Sequence, residues 1–143
     1  MVRVNILEPR ALSDQHLIAE YSEILRLLGY VRKHREVSSE GAHFLKRPVK
    51  YFSDKLAYLG KRHALLRAEA QRRGFNCRII PDMECYPKRR KQEFKPNAKQ
   101  VREIKARITL RLRNPPWKDF YHYYRKKVQT SFLVGLIRKA KPQ

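Results

Sequence analysis

A stripe of apolar residues near the start of the chain limits what this segment can fold into. Its members recur at intervals of four and three residues: Leu17, Tyr21, Ile24, Leu28 and Val31. This spacing places them on one face of an α-helix. Ser13 precedes the stripe as a favourable N-cap, and Asp14 in the first turn is favoured by the helix dipole. The pattern therefore predicts one long amphipathic helix that buries this face.

A second stripe with the same spacing lies on a different face of the predicted helix. It consists of His16, Glu20, Glu23, Arg26 and Tyr30. Taken alone, such a set is typical of a solvated charged face with ion pairs between neighbouring turns. The alternative is that the amino terminus of the chain folds back onto this stripe, so that a primary amine and the Glu23 carboxylate meet in a basic groove. Such a pair can form an imine with a sugar.

Two further segments have helical periodicity. Residues 49–73 carry a core-facing stripe with the four-three spacing: Phe52, Leu56, Leu59, His63, Leu66 and Ala70. Gly74 follows as a natural C′ residue, and His63 is predicted to be a packed histidine rather than a catalytic one. In residues 97–113, Asn97 and Gln100 form a capping box before another buried stripe. The pair Pro115-Pro116 then ends the helix.

The whole pattern predicts a mainly α protein without strands. We expect a single compact domain over residues 1–143, with three main helices and long loops. A short helix at about 128–138 and the basic tail RKAKPQ would form a C-terminal extension over residues 128–143.

The charge of the chain indicates a polyanionic partner. Lys and Arg number 34 against 13 Asp and Glu, which gives a formal net charge of +21. Because the cations recur throughout the chain, nucleic acid held along a broad surface is the expected partner. No apolar run approaches the roughly 18 residues of a membrane span, and no signal peptide opens the chain. We therefore expect no membrane partner. A monomer in the cytoplasm, associated with the nucleoid or with ribosomes, is the resulting prediction.

The sequence gives no indication of a metal or a cofactor. Cys77 and Cys85 are the only cysteines, and zinc would need about four closely paired ligands. The five histidines are scattered along the chain. Free thiols and an absence of bound metal are the expectations.

Cations and aromatic residues mark several candidate nucleic-acid contacts. The run KRRK begins at residue 88 and could bind phosphates or form a solvated loop. Near residue 120, rings alternate with cations, as on surfaces that stack bases, although the rings could instead cap the core. The candidates from these segments, with the two cations that end the first helix, are Arg32, Lys33, Lys88, Arg89, Arg90, Trp117, Lys118, Tyr121, Tyr123, Tyr124 and Arg125.

Three segments carry a family resemblance. SDQHLIAEYSEI, preceded by a short MxRxN start, YFSDKLAYLGKRHALLRAEAQRRGFN at residues 51–76, and more weakly WKDFYHYY at 117–124 occur in this order. Together they resemble the phage-type pyrimidine-dimer DNA glycosylase and abasic-site lyase family. The resemblance covers roughly half of the chain.

The resemblance implies a mechanism and a set of residues. After removal of Met1, the α-amine of Val2 would attack the sugar of a damaged nucleotide in duplex DNA, release the base, form a Schiff base and cut the strand by elimination. Glu23 would stabilise the cationic sugar and move protons. Four further residues match family positions that line the DNA groove: Arg3, Gln15, His16 and Arg26.

The ordinary pKa of an α-amine suits this role. At about 7.7–8.0 it leaves a useful neutral fraction at physiological pH. Nearby cations such as Arg3 and Arg26 disfavour the ammonium form, whereas Glu23 favours it. We expect these effects to cancel in part and to leave an amine that is ready to attack.

Two departures from the family pattern leave a second interpretation open. Ser22 stands where the family usually has arginine, so a contact beside the carboxylate is missing. The segment 41–52 lacks the glycines of the family's GxGHVxFF stretch. With the high charge, these departures favour the alternative of a non-catalytic nucleic-acid-binding protein of the same fold, such as one that binds structured RNA or ribosomes.

Overall fold

The computed structural model describes residues 3–116 and 120–143, and within them the chain is mainly helical, as predicted. The described α-helices are α1 (Asp14–Lys33), α2 (Pro48–Phe52), α3 (Leu56–Arg72), α4 (Ala98–Arg113) and α5 (Thr130–Lys139). Single 3-10 turns lie at Pro9–Ala11 and Lys88–Arg90. A small hairpin joins the strands β1 (His122–Tyr123) and β2 (Lys126–Lys127).

Helices α1 and α3 pack against each other and form the centre of the molecule. The predicted apolar stripe of α1 is buried along its whole length. Ser13 caps the helix, because its Oγ accepts a hydrogen bond from the backbone N–H of His16. His63 of α3 is fully buried, and its ring stacks on Tyr21 with the centroids 4.6 Å apart. The predicted N-cap and the packed role of His63 are thus confirmed.

The single helix predicted for residues 49–73 is wrong, because the chain breaks between α2 and α3. Ser53 Oγ donates to the carbonyl oxygen of Lys50 at 2.7 Å, which ends α2. The ammonium group of Lys55 bonds both the Tyr51 carbonyl oxygen and the Asp54 carboxylate. The side chains of Ser53 and Lys55 thus occupy carbonyl oxygens that helical hydrogen bonds would otherwise use, whereas the apolar stripe continues across the break.

Glu20 is also placed differently from the prediction, since it is completely buried instead of lying on a solvated face. Its carboxylate accepts two hydrogen bonds from the Arg62 guanidinium, at 2.6 Å and 2.9 Å. Arg62 is itself 1% exposed. A bidentate partner of opposite charge is what makes burial of both groups tolerable.

Helix α4 begins at the predicted capping box, with Asn97 and Gln100 bonding each other's backbone amides. Its buried face consists of Ile104, Ile108 and Leu112, and it packs against α5. Among the described residues, no helix combines the length and the apolar character needed to cross a membrane.

The hairpin contradicts the prediction of a chain without strands. Its two turn residues, Tyr124 and Arg125, have φ of 50° and 66°, as a two-residue type I′ turn requires. The usual sequence signal for such a turn is Asn-Gly, which is absent here. The Asp14 carboxylate compensates, because it accepts hydrogen bonds from both turn amides, at 3.1 Å and 2.7 Å. A contact over more than 100 residues is not visible in local sequence.

The last residues of the chain lie beside the first described ones. Leu7 and Pro142 form an antiparallel bridge. The N–H of Gln143 donates to the Ile6 carbonyl oxygen, and the N–H of Glu8 donates to the Lys141 carbonyl oxygen, both at 2.9 Å. The predicted basic tail is therefore paired with the N-terminal segment along its backbone.

Candidate active site and nucleic-acid interface

A cleft of about 850 Å³ runs along the open side of α1. Its walls come from the N-terminal segment, from α1, from the segment after α3, from α4 and from the hairpin. The lining side chains are Arg3, Asp14, Gln15, His16, Ile18, Ala19, Ser22, Glu23, Phe75, Arg111, Pro116, His122 and Arg125. The cleft thus combines two carboxylates, those of Asp14 and Glu23, with several cations and an apolar wall.

Glu23 is joined directly to the start of the described chain. The backbone N–H of Arg3 donates to Glu23 Oε2 at 2.8 Å. The bond crosses from the N-terminal segment to the middle of α1, so the segment lies against the helix at this position. The carboxylate of Glu23 is therefore adjacent to the backbone of Arg3.

The surroundings of Glu23 act on its protonation in two directions. Partial burial raises the pKa of the Glu23 carboxyl, while the Arg3 N–H and the Arg3 charge oppose this rise. Across the cleft, burial lowers the pKa of Arg107, and the neighbouring charges of Arg3 and Arg111 lower it further. Three guanidinium groups are thus close enough to repel one another around one carboxylate, which makes this end of the cleft electropositive.

His16 is a neutral group in this cleft. Burial, followed by the charges of Arg3 and Arg111, lowers its pKa to about 4. Its Nδ1 lies 3.1 Å from Ser13 Oγ, and its ring packs against that of Tyr121. At neutral pH this imidazole adds no positive charge to the cleft and is available for hydrogen bonding only.

Gln15 fastens the hairpin segment to α1. Its Oε1 accepts from the backbone N–H of His122 at 3.0 Å, and its Nε2 donates to the Phe120 carbonyl oxygen at 3.3 Å. Together with the bonds from Asp14 to the turn, these contacts hold Arg125 at the mouth of the cleft. The amide of Gln15 thus has a structural role within the described residues.

The tyrosines of the hairpin are tied to α3 and to the N-terminal loop. The Arg73 guanidinium lies 4.6 Å from the ring centroid of Tyr123 and 4.9 Å from that of Tyr124. The Tyr124 hydroxyl donates to Glu69 at 2.9 Å, and the Tyr123 hydroxyl donates to the Arg10 carbonyl oxygen at 2.7 Å. Tyr124 nevertheless stays exposed on one side.

The remaining predicted residues are dispersed. Arg26, Arg32 and Lys33 are exposed along α1 and at its end, and Lys88 and Arg89 are exposed on a separate turn. None of these five side chains lines the cleft. Val2, Trp117 and Lys118 lie outside the described residues.

Arg90 and Tyr121 are corrected to interior positions. Arg90 is 5% exposed, and its guanidinium donates to the carbonyl oxygens of Arg35, Val37 and Ser53. Tyr121 is 3% exposed, and its hydroxyl donates to the Arg111 carbonyl oxygen. Both side chains serve the packing of loops, so neither is available as a surface contact.

Three residues that line or adjoin the cleft were not among the predicted site residues: Arg111 and Phe75 line it, and Arg107 interacts with the charges of Arg3 and Glu23 beside it. Arg107 and Arg111 lie one turn apart on α4, a spacing that could have identified a basic stripe. Phe75 contributes an aromatic wall from the segment after α3, for which local sequence holds no signal.

Among the described residues, no group of three or more His, Cys, Asp or Glu side chains could hold a metal ion, and both cysteines are free.

The fold and the cleft define a small, basic, mainly helical protein with a carboxylate beside its N-terminal segment. A family model described as pyrimidine dimer DNA glycosylase matches residues 1–80, which is more than half of the chain. This protein belongs to that family. The match includes α1, Glu23 and α3, whereas α4, the hairpin and α5 lie beyond it.

Proposed function

We propose that this protein is a DNA glycosylase with abasic-site lyase activity that acts on pyrimidine dimers in duplex DNA. The nucleophile would be the α-amine of Val2, which becomes the first residue when Met1 is removed. Glu23 would be its acid-base partner. Membership of the pyrimidine dimer DNA glycosylase family supports the glycosylase part of this proposal.

The observation that carries the amine hypothesis is the hydrogen bond between the Arg3 N–H and Glu23 Oε2, 2.8 Å long. Residue 2 is covalently bound to this N–H, so its own nitrogen is separated from it by only three bonds, which span a few ångströms at most. An α-amine at Val2 would therefore lie within a few ångströms of the carboxylate. A retained Met1 would move the amine one residue farther away.

The chemistry follows from this pair of groups. The neutral amine attacks C1′ of the damaged nucleotide, and the glycosidic C1′–N bond breaks with its electron pair leaving on the base, which takes up a proton. Opening of the sugar ring and loss of the amine protons give the imine. Removal of a proton from C2′ then expels the 3′ phosphate and cuts the strand. Burial raises the pKa of the Glu23 carboxyl, which makes its carboxylate a stronger proton acceptor than an exposed one.

The arginines around the carboxylate would hold the DNA backbone. Arg3 Nε is buried and has no hydrogen-bond partner among the residues that the structure describes. Arg3 also lines the cleft, so the other N–H groups of its guanidinium would bind a phosphate oxygen there. Arg111 and Arg125 line the same space. Duplex DNA would be held by its phosphates while one nucleotide is brought to the amine.

Access to a sugar inside a duplex requires that the DNA be kinked or that a nucleotide be extruded, at a cost of a few kcal/mol. The apolar wall formed by Ile18, Ala19 and Phe75 offers a surface for such a distorted site. Ser22 lies in the same wall with a small side chain where the family usually has arginine. We expect this replacement to affect the choice of lesion more than the lyase reaction.

Covalent trapping tests the proposal. Borohydride should link the processed protein to duplex DNA that contains an abasic site, and also to ultraviolet-irradiated duplex DNA. Val2→Leu, whose larger side chain blocks removal of Met1, should lower trapping strongly. Intact mass measurement identifies the first residue of each preparation. A correctly processed protein that forms no adduct with either DNA would contradict the amine mechanism.

Glu23→Gln should reduce strand cutting by at least about 100-fold, because the proton-transfer group is lost while the side-chain shape is kept. Affinity for the same duplex should remain nearly unchanged. Glu84→Gln, an exposed change on the loop after α3, is the matched control and should cut at the original rate. Equal cutting by the Glu23 and Glu84 variants would reject the role of Glu23.

The alternative is a non-catalytic nucleic-acid-binding protein of the same fold. It is favoured by the net charge of +21, since many cations lie outside the cleft. Tight binding to duplex DNA or structured RNA without any trapped adduct would support it. The trapping and binding measurements therefore separate the two functions.

A further inference from the structure

We infer that residues 141–143 are a positioning element for the N-terminal nucleophile. The inference rests on the proposed function, because it assigns these residues to the placement of the Val2 amine beside Glu23. The segment lies beyond residues 1–80, which the family model matches. Its role thus belongs to the part of this chain that the family match does not cover.

The pairing of the two segments uses backbone atoms on both sides. Gln143 N–H donates to the Ile6 carbonyl oxygen, and Glu8 N–H donates to the Lys141 carbonyl oxygen, both at 2.9 Å. In addition, the Lys141 N–H donates to Glu8 Oε1 at 3.2 Å. Three hydrogen bonds therefore fix residues 6–8 over a short length of chain.

The far side of this pairing is anchored in the core. Arg62 Nη1 donates to the oxygen of Gln143 at 3.0 Å and also to the carbonyl oxygen of Leu7. The Tyr58 hydroxyl donates to the same Gln143 oxygen at 2.8 Å. Arg62 in turn bonds Glu20, one turn before Glu23 on α1. One guanidinium therefore connects the tail, the N-terminal segment and the helix that carries the candidate catalytic carboxylate.

This connection controls where the chain start can lie. Ile6 has φ of 46°, a left-handed conformation that a β-branched residue adopts only when its surroundings impose it. Its carbonyl oxygen is the atom that accepts the bond from Gln143. The segment between Arg3, which contacts Glu23, and this tail pairing is buried throughout: Val4, Asn5, Ile6 and Leu7. Because the backbone bend at Ile6 is fixed, it determines the direction of residues 3–5 and therefore where Arg3 meets Glu23.

Deletion of residues 141–143 is the test. We expect the rate of borohydride trapping on an abasic duplex to fall by at least about tenfold, since small errors in the placement of reacting groups are costly. The dissociation constant for the same duplex should change less than threefold. The matched control is the double variant Lys141→Ala and Gln143→Ala, which loses the same charge but keeps every backbone bond of the tail. It should trap at the original rate.

Hydrogen exchange provides a readout that does not depend on activity. The Arg3 amide, which bonds Glu23, should exchange at least about tenfold faster in the deletion variant than in the double-alanine variant. Unchanged exchange and unchanged trapping in the deletion variant would overturn the inference. Equal losses of trapping in both variants would also overturn it, because side chains and not backbone pairing would then be responsible.

The same measurements separate this inference from the proposed function. If the unaltered protein forms no adduct but deletion still accelerates Arg3 exchange, the amine mechanism fails while the structural coupling holds, and the coupling then has no catalytic role. If the unaltered protein is trapped and the deletion variant is trapped equally fast, the tail inference alone fails. Thermal unfolding of all three proteins identifies any loss that is due to global instability.

Discussion

His63 is a buried titratable residue whose protonation is coupled to folding. Burial, followed by the charge of Arg67, lowers its pKa to about 4. The unfolded chain takes up a proton on this imidazole as the pH falls through about 6.5, whereas the folded protein does so only near pH 4. The free energy of unfolding must therefore decrease as the pH falls through this interval.

Replacement of His63 by Phe should remove this pH dependence while the stacking on Tyr21 is kept. Urea unfolding of the unaltered protein at pH 6.5 and pH 4.5 should show a loss that exceeds the loss in His63→Phe by about 2 kcal/mol. Other groups titrate in both proteins and cancel in the difference. An identical pH dependence in the two proteins would mean that the imidazole is not shielded.

Glu20 and Glu23 show how neighbouring acids on one helix acquire different roles. Glu20 is fully buried and bonded twice by Arg62, so its charge is matched inside the core. Glu23 is only partly buried and accepts one backbone N–H. The spacing of three residues put both on one polar stripe, and it could not indicate that α3 covers one and leaves the other open. Glu20, the structural acid, and Glu23, the candidate catalytic acid, differ in what packs on them.

Among the elements, the hairpin carries a conformation that its own sequence disfavours. Tyr124 and Arg125 both adopt left-handed backbone angles, and each such residue costs roughly 1 kcal/mol relative to glycine. The bonds from Asp14 to both turn amides offset part of this cost. The strain is retained at the place where Arg125 reaches the mouth of the cleft.

Arg125→Gly should therefore change stability and DNA binding in opposite directions. The free energy of unfolding should rise by up to about 1 kcal/mol, because glycine adopts the turn conformation without strain. Affinity for duplex DNA should fall several-fold, because a cation at the cleft is lost. Lys126→Gly, a change in the adjacent strand where no left-handed residue is needed, is the control for stability and should destabilise. Unfolding and binding titrations of both variants test this prediction.

Elements that depend on contacts between residues close in sequence could be predicted, and elements that depend on contacts between distant residues could not. Helices α1, α4 and α5 could be predicted because amphipathic spacing and, for α1 and α4, the caps Ser13 and Asn97 are local signals. The break at Ser53–Lys55 was missed because the apolar stripe continues through it. The hairpin was missed because its turn depends on Asp14, which is distant in sequence. Local patterns define helices well, and they do not report on side chains that arrive from another element.

At the scale of the whole molecule, the positive charge is spread along the entire chain, whereas the candidate site occupies a single cleft. Net charge was sufficient to predict a nucleic-acid partner, and the family resemblance of the opening helix was the reason to propose Glu23. They could not select Arg107 and Arg111, which approach Glu23 only because α4 lies across the cleft. For the same reason Arg90, which looked like a phosphate contact in the sequence, is enclosed by carbonyl oxygens of neighbouring loops. Only the packing distinguishes a cation that faces DNA from one that holds the fold.

The net charge of +21 leads to a prediction about salt. Affinity for undamaged duplex DNA should fall steeply as salt increases, and the logarithmic slope counts the phosphates that are neutralised, at about 0.9 per contact. Because Arg111 lines the cleft, Arg111→Gln should weaken binding and lower the slope by about 1. Lys61→Gln is the matched control, since Lys61 lies outside the cleft and pairs with Glu93 at 2.6 Å. Its slope should stay close to that of the unaltered protein. Equal slopes for both variants would show that cations over the whole surface contribute alike to DNA binding. The cleft would then not be the preferred binding site of the DNA backbone.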